Sequence, residues 1–188
     1  MRVVWVSTWD RTCGIADYSK ALWPALQSSL KRQGHEGLLV SLDEYKSADA
    51  VIRKLQDLKA DGVHFQHEYG IYGGKNPPGY FFPKIIQGLK SALPQAVIVA
   101  TAHTVLSPDY RFPVEGRGWQ IPVRTFANRF LLKYLTKVWG QSTWGSLSGV
   151  ILHSRHQIDS MKAAQAQTVE VIPHFVPASG VQGTITRK

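Results

Sequence analysis

The sequence predicts an α/β domain built on a single Rossmann-like, doubly wound parallel sheet with helices on both faces. Three observations carry this. Strand-sized apolar runs alternate with helix-period segments from end to end. Those runs are too continuously apolar for a sheet with one wet face, which is the mark of parallel strands covered on both sides. Nearly every run closes on Ser, Thr, His or Glu, at the carboxyl edge where open parallel sheets build their sites.

Strands are expected at 2–7 (RVVWVS), 37–42 (GLLVSL), 62–67 (GVHFQH), 96–101 (AVIVAT), 149–154 (GVILHS) and 169–174 (VEVIPH). Helices are expected near 16–33, 47–59, 79–92, 122–138 and 155–165. The first should close at Gly34, as a helix ends on glycine, and kink at Trp23 ahead of Pro24. Residues 102–121 hold two prolines and two glycines without periodicity, and a loop of that length usually serves function.

With 188 residues, 44% of them hydrophobic and 19% charged, the chain has one full core. The expected domain spans 1–177, and 178–188 reads as a tail or a truncated interdomain linker. No apolar run approaches the roughly 18 residues of a membrane span, and MRVVWVS meets polar residues too soon for a signal peptide. The single cysteine, Cys13, excludes an internal disulfide and suits a cytoplasmic location. Net charge is +9, and no Asp or Glu occurs from Gly116 to Ile158. An acidic partner is therefore expected, an anionic membrane surface or a phosphorylated small molecule; without zinc-finger spacing or an RNP-type motif, nucleic acid is not expected.

The stretch HFQHEYGIYGG (64–74) poses three alternatives: a metal site, a phosphate cradle or the floor of a sugar pocket. His64 and His67 stand an odd number apart in a strand and point to opposite faces, so they do not share an ion, and no metal site is assigned. A Walker loop ending at Gly74-Lys75 would need Gly at Tyr69 and Ser or Thr at Asn76. No G-x-G-x-x-G follows the first strand, and GSLSG (145–149) has Leu147 where a nucleophilic serine belongs. There remain an imidazole and a carboxylate, His67 and Glu68, followed by Gly70, Gly73 and Gly74, where backbone N–H groups can approach a ligand. Such a surface suits polyols, since every hydroxyl both donates and accepts; an ordinary tight connection explains the glycines equally well. His67, His103, His153 and His174, together with Thr104 and Ser154, all fall at strand ends.

The segments TCGIADYSKAL (12–22), RQGHEGLLVSL (32–42), DGVHFQHEYGIYGG (61–74), VATAHTV (99–105), VILHSRHQIDSM (150–161) and VIPHFVP (171–177) together resemble, in order and spacing, the N-terminal acceptor-side domain of retaining family 4 glycosyltransferases of the GT-B fold. The resemblance implies that Cys13, Gly14 and Ile15 form the loop beside a nucleotide-sugar donor, the expected co-substrate, with no other cofactor. It sets His103 at the transferred sugar and His67, Glu68 and Gly70 in the acceptor-side wall; taken with the strand-end residues, His103 and Glu68 are the expected catalytic residues, and His67, Glu68, Gly70, Gly73, Gly74, Thr104, Ser154 and His174 the expected substrate-binding ones. The family's donor-binding half has no counterpart here, so the chain is expected to be inactive alone. The rival reading is a non-catalytic carbohydrate-binding or interaction domain.

Three partners follow as expectations: a sugar or glycolipid acceptor, a donor-domain chain, or self-association through an open cleft edge carrying Trp9, Tyr69, Tyr72 and Tyr110. Residues 122–138 set Val123, Phe126, Phe130, Leu131, Tyr134, Leu135 and Val138 on an apolar side and Arg129, Lys133 and Lys137 in one stripe, as a core-packed helix with a solvated face, as a dock for an anionic membrane surface, or as a draw for a negatively charged acceptor. The second option adds a peripheral position at the inner membrane face.

Overall fold

A computed structural model describes residues 1–72, 81–105, 118–123, 125–126, 130, 140–163 and 165–174. Six parallel strands make one sheet: β1 (Arg2–Ser7), β2 (Glu36–Ser41), β3 (Gly62–His67), β4 (Val97–Ala102), β5 (Gly149–Leu152) and β6 (Val169–Val171), in the order β2-β1-β3-β4-β5-β6. The order reverses at β1, which places a topological switch point between β1 and β3. The doubly wound α/β expectation holds.

Strand parity sorts the sheet into two cores. One face carries Val4, Val6, Val63, Phe65, Ile98, Ala100, Val150 and Leu152. Against it pack α2 (Ala48–Asp57) through Val51 and Leu55, and α3 (Phe82–Ala92) through Phe82, Ile85, Ile86 and Leu89. Full burial of each such side chain contributes about 1.5–3 kcal/mol before chain entropy is charged. The opposite face carries Trp5 and Leu39 and is covered by α1 (Gly14–Arg32) through Tyr18, Leu22, Trp23 and Leu26. Two further short helices, α4 (Gly140–Thr143) and α5 (Ile158–Ala163), precede β5 and β6.

Local chemistry explains the boundaries. Gly34 sits at φ 75 just past α1, where an L side chain would be strained, and His35 N–H reaches back to Leu30 O at 2.9 Å. Pro24 lies inside the helix, which continues to Arg32. Ser47 caps α2 by accepting from Ala50 N–H at 3.3 Å. Against expectation, β5 and β6 end early, at Leu152 and Val171, and His153 and His174 fall beyond the ladder.

Two expectations about surfaces change. Tyr72, expected on an open apolar edge, is fully buried: its ring stacks on His67 at 5.7 Å and its hydroxyl donates to Gln66 O at 2.8 Å. Conversely, Val123, Phe126 and Phe130 are 57%, 72% and 69% exposed, so these three side chains are not packed into the core. Leu131, Tyr134, Leu135, Val138, Arg129, Lys133, Lys137, Tyr110, Gly73, Gly74 and the stretch 175–188, which includes the expected tail, lie outside the described residues. No helix among the described residues is long and apolar enough to cross a membrane.

Candidate functional site

Register builds the site. Ala102 pairs with Leu152, so the next residues, His103 and His153, stand opposite each other at the ends of β4 and β5. Leu152 pairs with Val171, which puts Ile172 opposite His153 and His174 two residues further on the same side. Three imidazoles thus leave neighbouring strand ends on the face that α1 covers. Ring centroids lie 4.9 Å apart for His103 and His153, 4.6 Å for His153 and His174, and 6.0 Å for His103 and His174. Tyr18, one turn into α1, touches all three at 5.1, 5.5 and 4.7 Å.

Hydrogen bonds orient two of these rings. His103 Nε2 lies 2.8 Å from Gln66 Oε1, and an amide oxygen only accepts, so this nitrogen carries the proton and Nδ1 holds the lone pair. His153 Nδ1 donates to Ile172 O at 2.9 Å, leaving Nε2 as the lone-pair nitrogen. That Nε2 is buried and has no hydrogen-bond partner among the described residues. Behind Gln66, His64 Nε2 lies 2.8 Å from Thr101 Oγ1 while its ring packs on Trp5 at 4.5 Å. Burial pushes His103 down to about 4, helped by the neighbouring His153 and His174, and burial likewise lowers His153. His103 and His153 are therefore neutral at physiological pH.

Glu68 stands opposite His103 in register, one step past the His67–Ala102 pair. Its carboxylate accepts from Tyr69 N–H at 2.9 Å and from the Thr104 hydroxyl, and it is half-buried. His67 does not join this surface. It points to the other face, fully buried, with Phe82 at 4.7 Å and Trp144 at 4.8 Å, and burial drives it down to about 3. Ser154 bonds to His156 Nε2 at 2.7 Å, and Gly70 is exposed.

At the switch point the loop after β1 is held by Asp43, which follows β2. Its carboxylate accepts from Trp9 N–H at 2.7 Å, Asp10 N–H at 2.9 Å and the buried Thr8 hydroxyl at 2.9 Å, and pairs with Arg11 at 2.6 Å. Those backbone donors are thus filled by the protein's own anion. Cys13 is the extended residue before α1, Gly14 opens the helix, and Ile15 is half-buried.

His103, His174, Glu68 and Thr104 come to the same edge on this face, while His67 does not. The sequence places His153 at a strand end but assigns no role to it or to Tyr18. Parity counted from strand ends placed to the residue would have found His153; Tyr18 carried no signal beyond its place on the first helix.

No family model matches the chain, and no curated protein matches it. Solved structures similar to it include a LacI family transcriptional regulator from Lactobacillus casei with bound glucose, at 13% identity over 92% of this chain and 80% of that one, TM-score 0.36. Another is the transcription regulator CcpA of Lactococcus lactis, at 10% identity over 87% of this chain and 72% of that one, TM-score 0.37. Neither likeness carries a ligand or a partner over to this chain. These comparisons overturn the family 4 glycosyltransferase resemblance and, with it, the GT-B assignment and the reading as the acceptor half of a transferase. The physical reason lies in the motifs themselves. Glycine and polar residues after apolar runs recur wherever parallel strands end, so six such segments in order report the sheet and not a chemistry.

Proposed function

We propose that this chain is a small-molecule-binding α/β domain that takes a neutral, polyhydroxylated ligand at the carboxyl edge of its sheet. The observation that carries the reading is the convergence of His103, His153, His174 and Tyr18 from three strand ends and a helix. The rings offer flat faces for C–H packing, and their nitrogens offer both donors and acceptors. Glu68 and Thr104 add a carboxylate and a hydroxyl beside them. With no ion bound, the neutral His103 and His153 bring no charge with which to draw a phosphate, which favours hydroxyl ligands over phosphorylated ones.

The test is calorimetric titration of the metal-free chain with hexoses, disaccharides and inositol, against nucleotides and phosphate monoesters. Saturable binding of a hydroxyl ligand, weakened at least about tenfold by Glu68→Ala through loss of a charged hydrogen bond, is the expected result. Binding only of phosphorylated compounds, binding of none of the panel, or binding indifferent to Glu68→Ala would overturn the reading.

A further inference from the structure

We propose that His103, His153 and His174 form a binding site for a divalent first-row transition ion, with Zn²⁺ the preferred occupant. One ligand nitrogen from each ring lies within 4.8 Å of the other two. A tetrahedral zinc ion with nitrogen ligands at about 2.0–2.1 Å needs these atoms roughly 3.3 Å apart. Closing that gap takes rotations of side chains that already share one surface, and the exposed His174 has room to make the largest of them.

The ring orientations are what a metal requires. A metal-bound histidine normally donates its other ring N–H to a carbonyl or carboxylate, which fixes the tautomer and strengthens the ligand. His153 does this through Nδ1 to Ile172 O, and His103 does it through Nε2 to Gln66 Oε1. The nitrogen left over on His153 is buried without a hydrogen-bond partner among the described residues, a costly arrangement that an ion would relieve.

Softness and ligand number choose the ion. Three imidazoles without thiolate suit zinc, copper, nickel or cobalt and give Mg²⁺ or Ca²⁺ too few oxygens. Three protein ligands also leave a tetrahedral ion one open position on the solvent side, where water or a ligand hydroxyl can complete the shell. Zn²⁺ binding is independent of whether the edge takes a polyhydroxylated ligand, because the ion needs only the three rings.

The test uses the full chain, stripped with chelator and free of any purification tag, titrated with ZnCl₂ calorimetrically and with CoCl₂ by visible absorption. One ion per chain is expected, with cobalt giving the intense d–d bands of a tetrahedral site. His103→Ala, His153→Ala and His174→Ala should each weaken binding at least about tenfold, since even outer-shell losses reach that size. His156→Ala, outside the cluster, should leave it unchanged. His174 is exposed, so its variant tests the site without risk to the fold. No stoichiometric binding, octahedral cobalt spectra, or affinity that survives His174→Ala and His153→Ala would overturn the proposal. Failure of the sugar titration with intact zinc binding would reject the ligand class alone.

Discussion

His103 Nε2 donates to Gln66 Oε1 across 2.8 Å, so a fully buried amide on β3 sets the ring of a histidine on the neighbouring strand. Gln66 also faces His64, at 3.4 Å, and the pair forms a polar seam under the surface where the three imidazoles meet. Replacing Gln66 by Leu keeps the volume but leaves His103 Nε2–H without an acceptor. Zinc affinity should fall about 10–100-fold while the cobalt spectrum of the weakened site stays tetrahedral, a positioning effect and not loss of a ligand. Unchanged affinity in the same titration would show that the ring is held by packing.

Asp43 should govern the acid stability of the switch-point loop. Burial raises its pKa, but the N–H groups of Trp9 and Asp10, the Thr8 hydroxyl and Arg11 outweigh this and lower it below the usual aspartate value. A depressed carboxylate contributes stability above its unfolded pKa of about 3.9 and loses it as pH falls through the folded value. Asp43→Ala should cost about 1–3 kcal/mol at neutral pH, because the buried Thr8 hydroxyl and the half-buried Trp9 N–H lose their acceptor, and should flatten the stability profile below pH ~4. Urea unfolding of both proteins at neutral and acid pH measures this.

His64 and His67 should make the fold acid-labile at milder pH. Burial lowers them to about 4 and about 3, so the native protein keeps both neutral while the unfolded chain protonates near pH 6.5. Below that point the unfolded state binds more protons, and stability falls as pH drops from about 6.5 toward the folded values. His67→Phe, which suits a cage of Phe82, Tyr72 and Trp144, should reduce the slope of stability against pH in that window. An unaltered slope would place the lability elsewhere.

On α3, a Cβ at Gly88 would lie 2.3 Å from Ile52 Cδ1, the terminal methyl of a half-buried side chain on α2. Gly88→Ala must turn that methyl aside, so its net cost should stay under about 1 kcal/mol after its better helix propensity is counted. Ile52→Val removes the offending methyl, so the double variant should be more stable than the two single costs predict, which a double-mutant cycle on urea midpoints reads directly.

Tyr72→Phe isolates one buried bond. The hydroxyl donates to Gln66 O at 2.8 Å, and its loss should cost roughly 1 kcal/mol in thermal or urea unfolding with no change in association state.

By itself the sequence determined the class of fold. Strand-sized apolar runs such as VVWV in Arg2–Ser7 and VIVATA at Val97–Ala102 read as strands buried on both faces, and the intervening helix-period segments imply parallel crossovers. It also placed histidines at the carboxyl edge, because that edge follows from where each apolar run stops. What it did not contain was which face each edge residue takes. A shift of one residue in a strand end reverses the side chain that follows it, and β4 ends at Ala102, not at Thr101. Tertiary structure decided that His67 turns into the α3 core, that His103, His153 and His174 share the α1 side, and that Tyr18 joins them from a helix far away in sequence. Motif resemblance did not supply that information, since glycine and histidine after a strand are common to every sheet that ends in a ligand-facing edge. The chemistry of this edge rests on cross-strand register, a long-range property that strand spacing imposes only once the chain has folded.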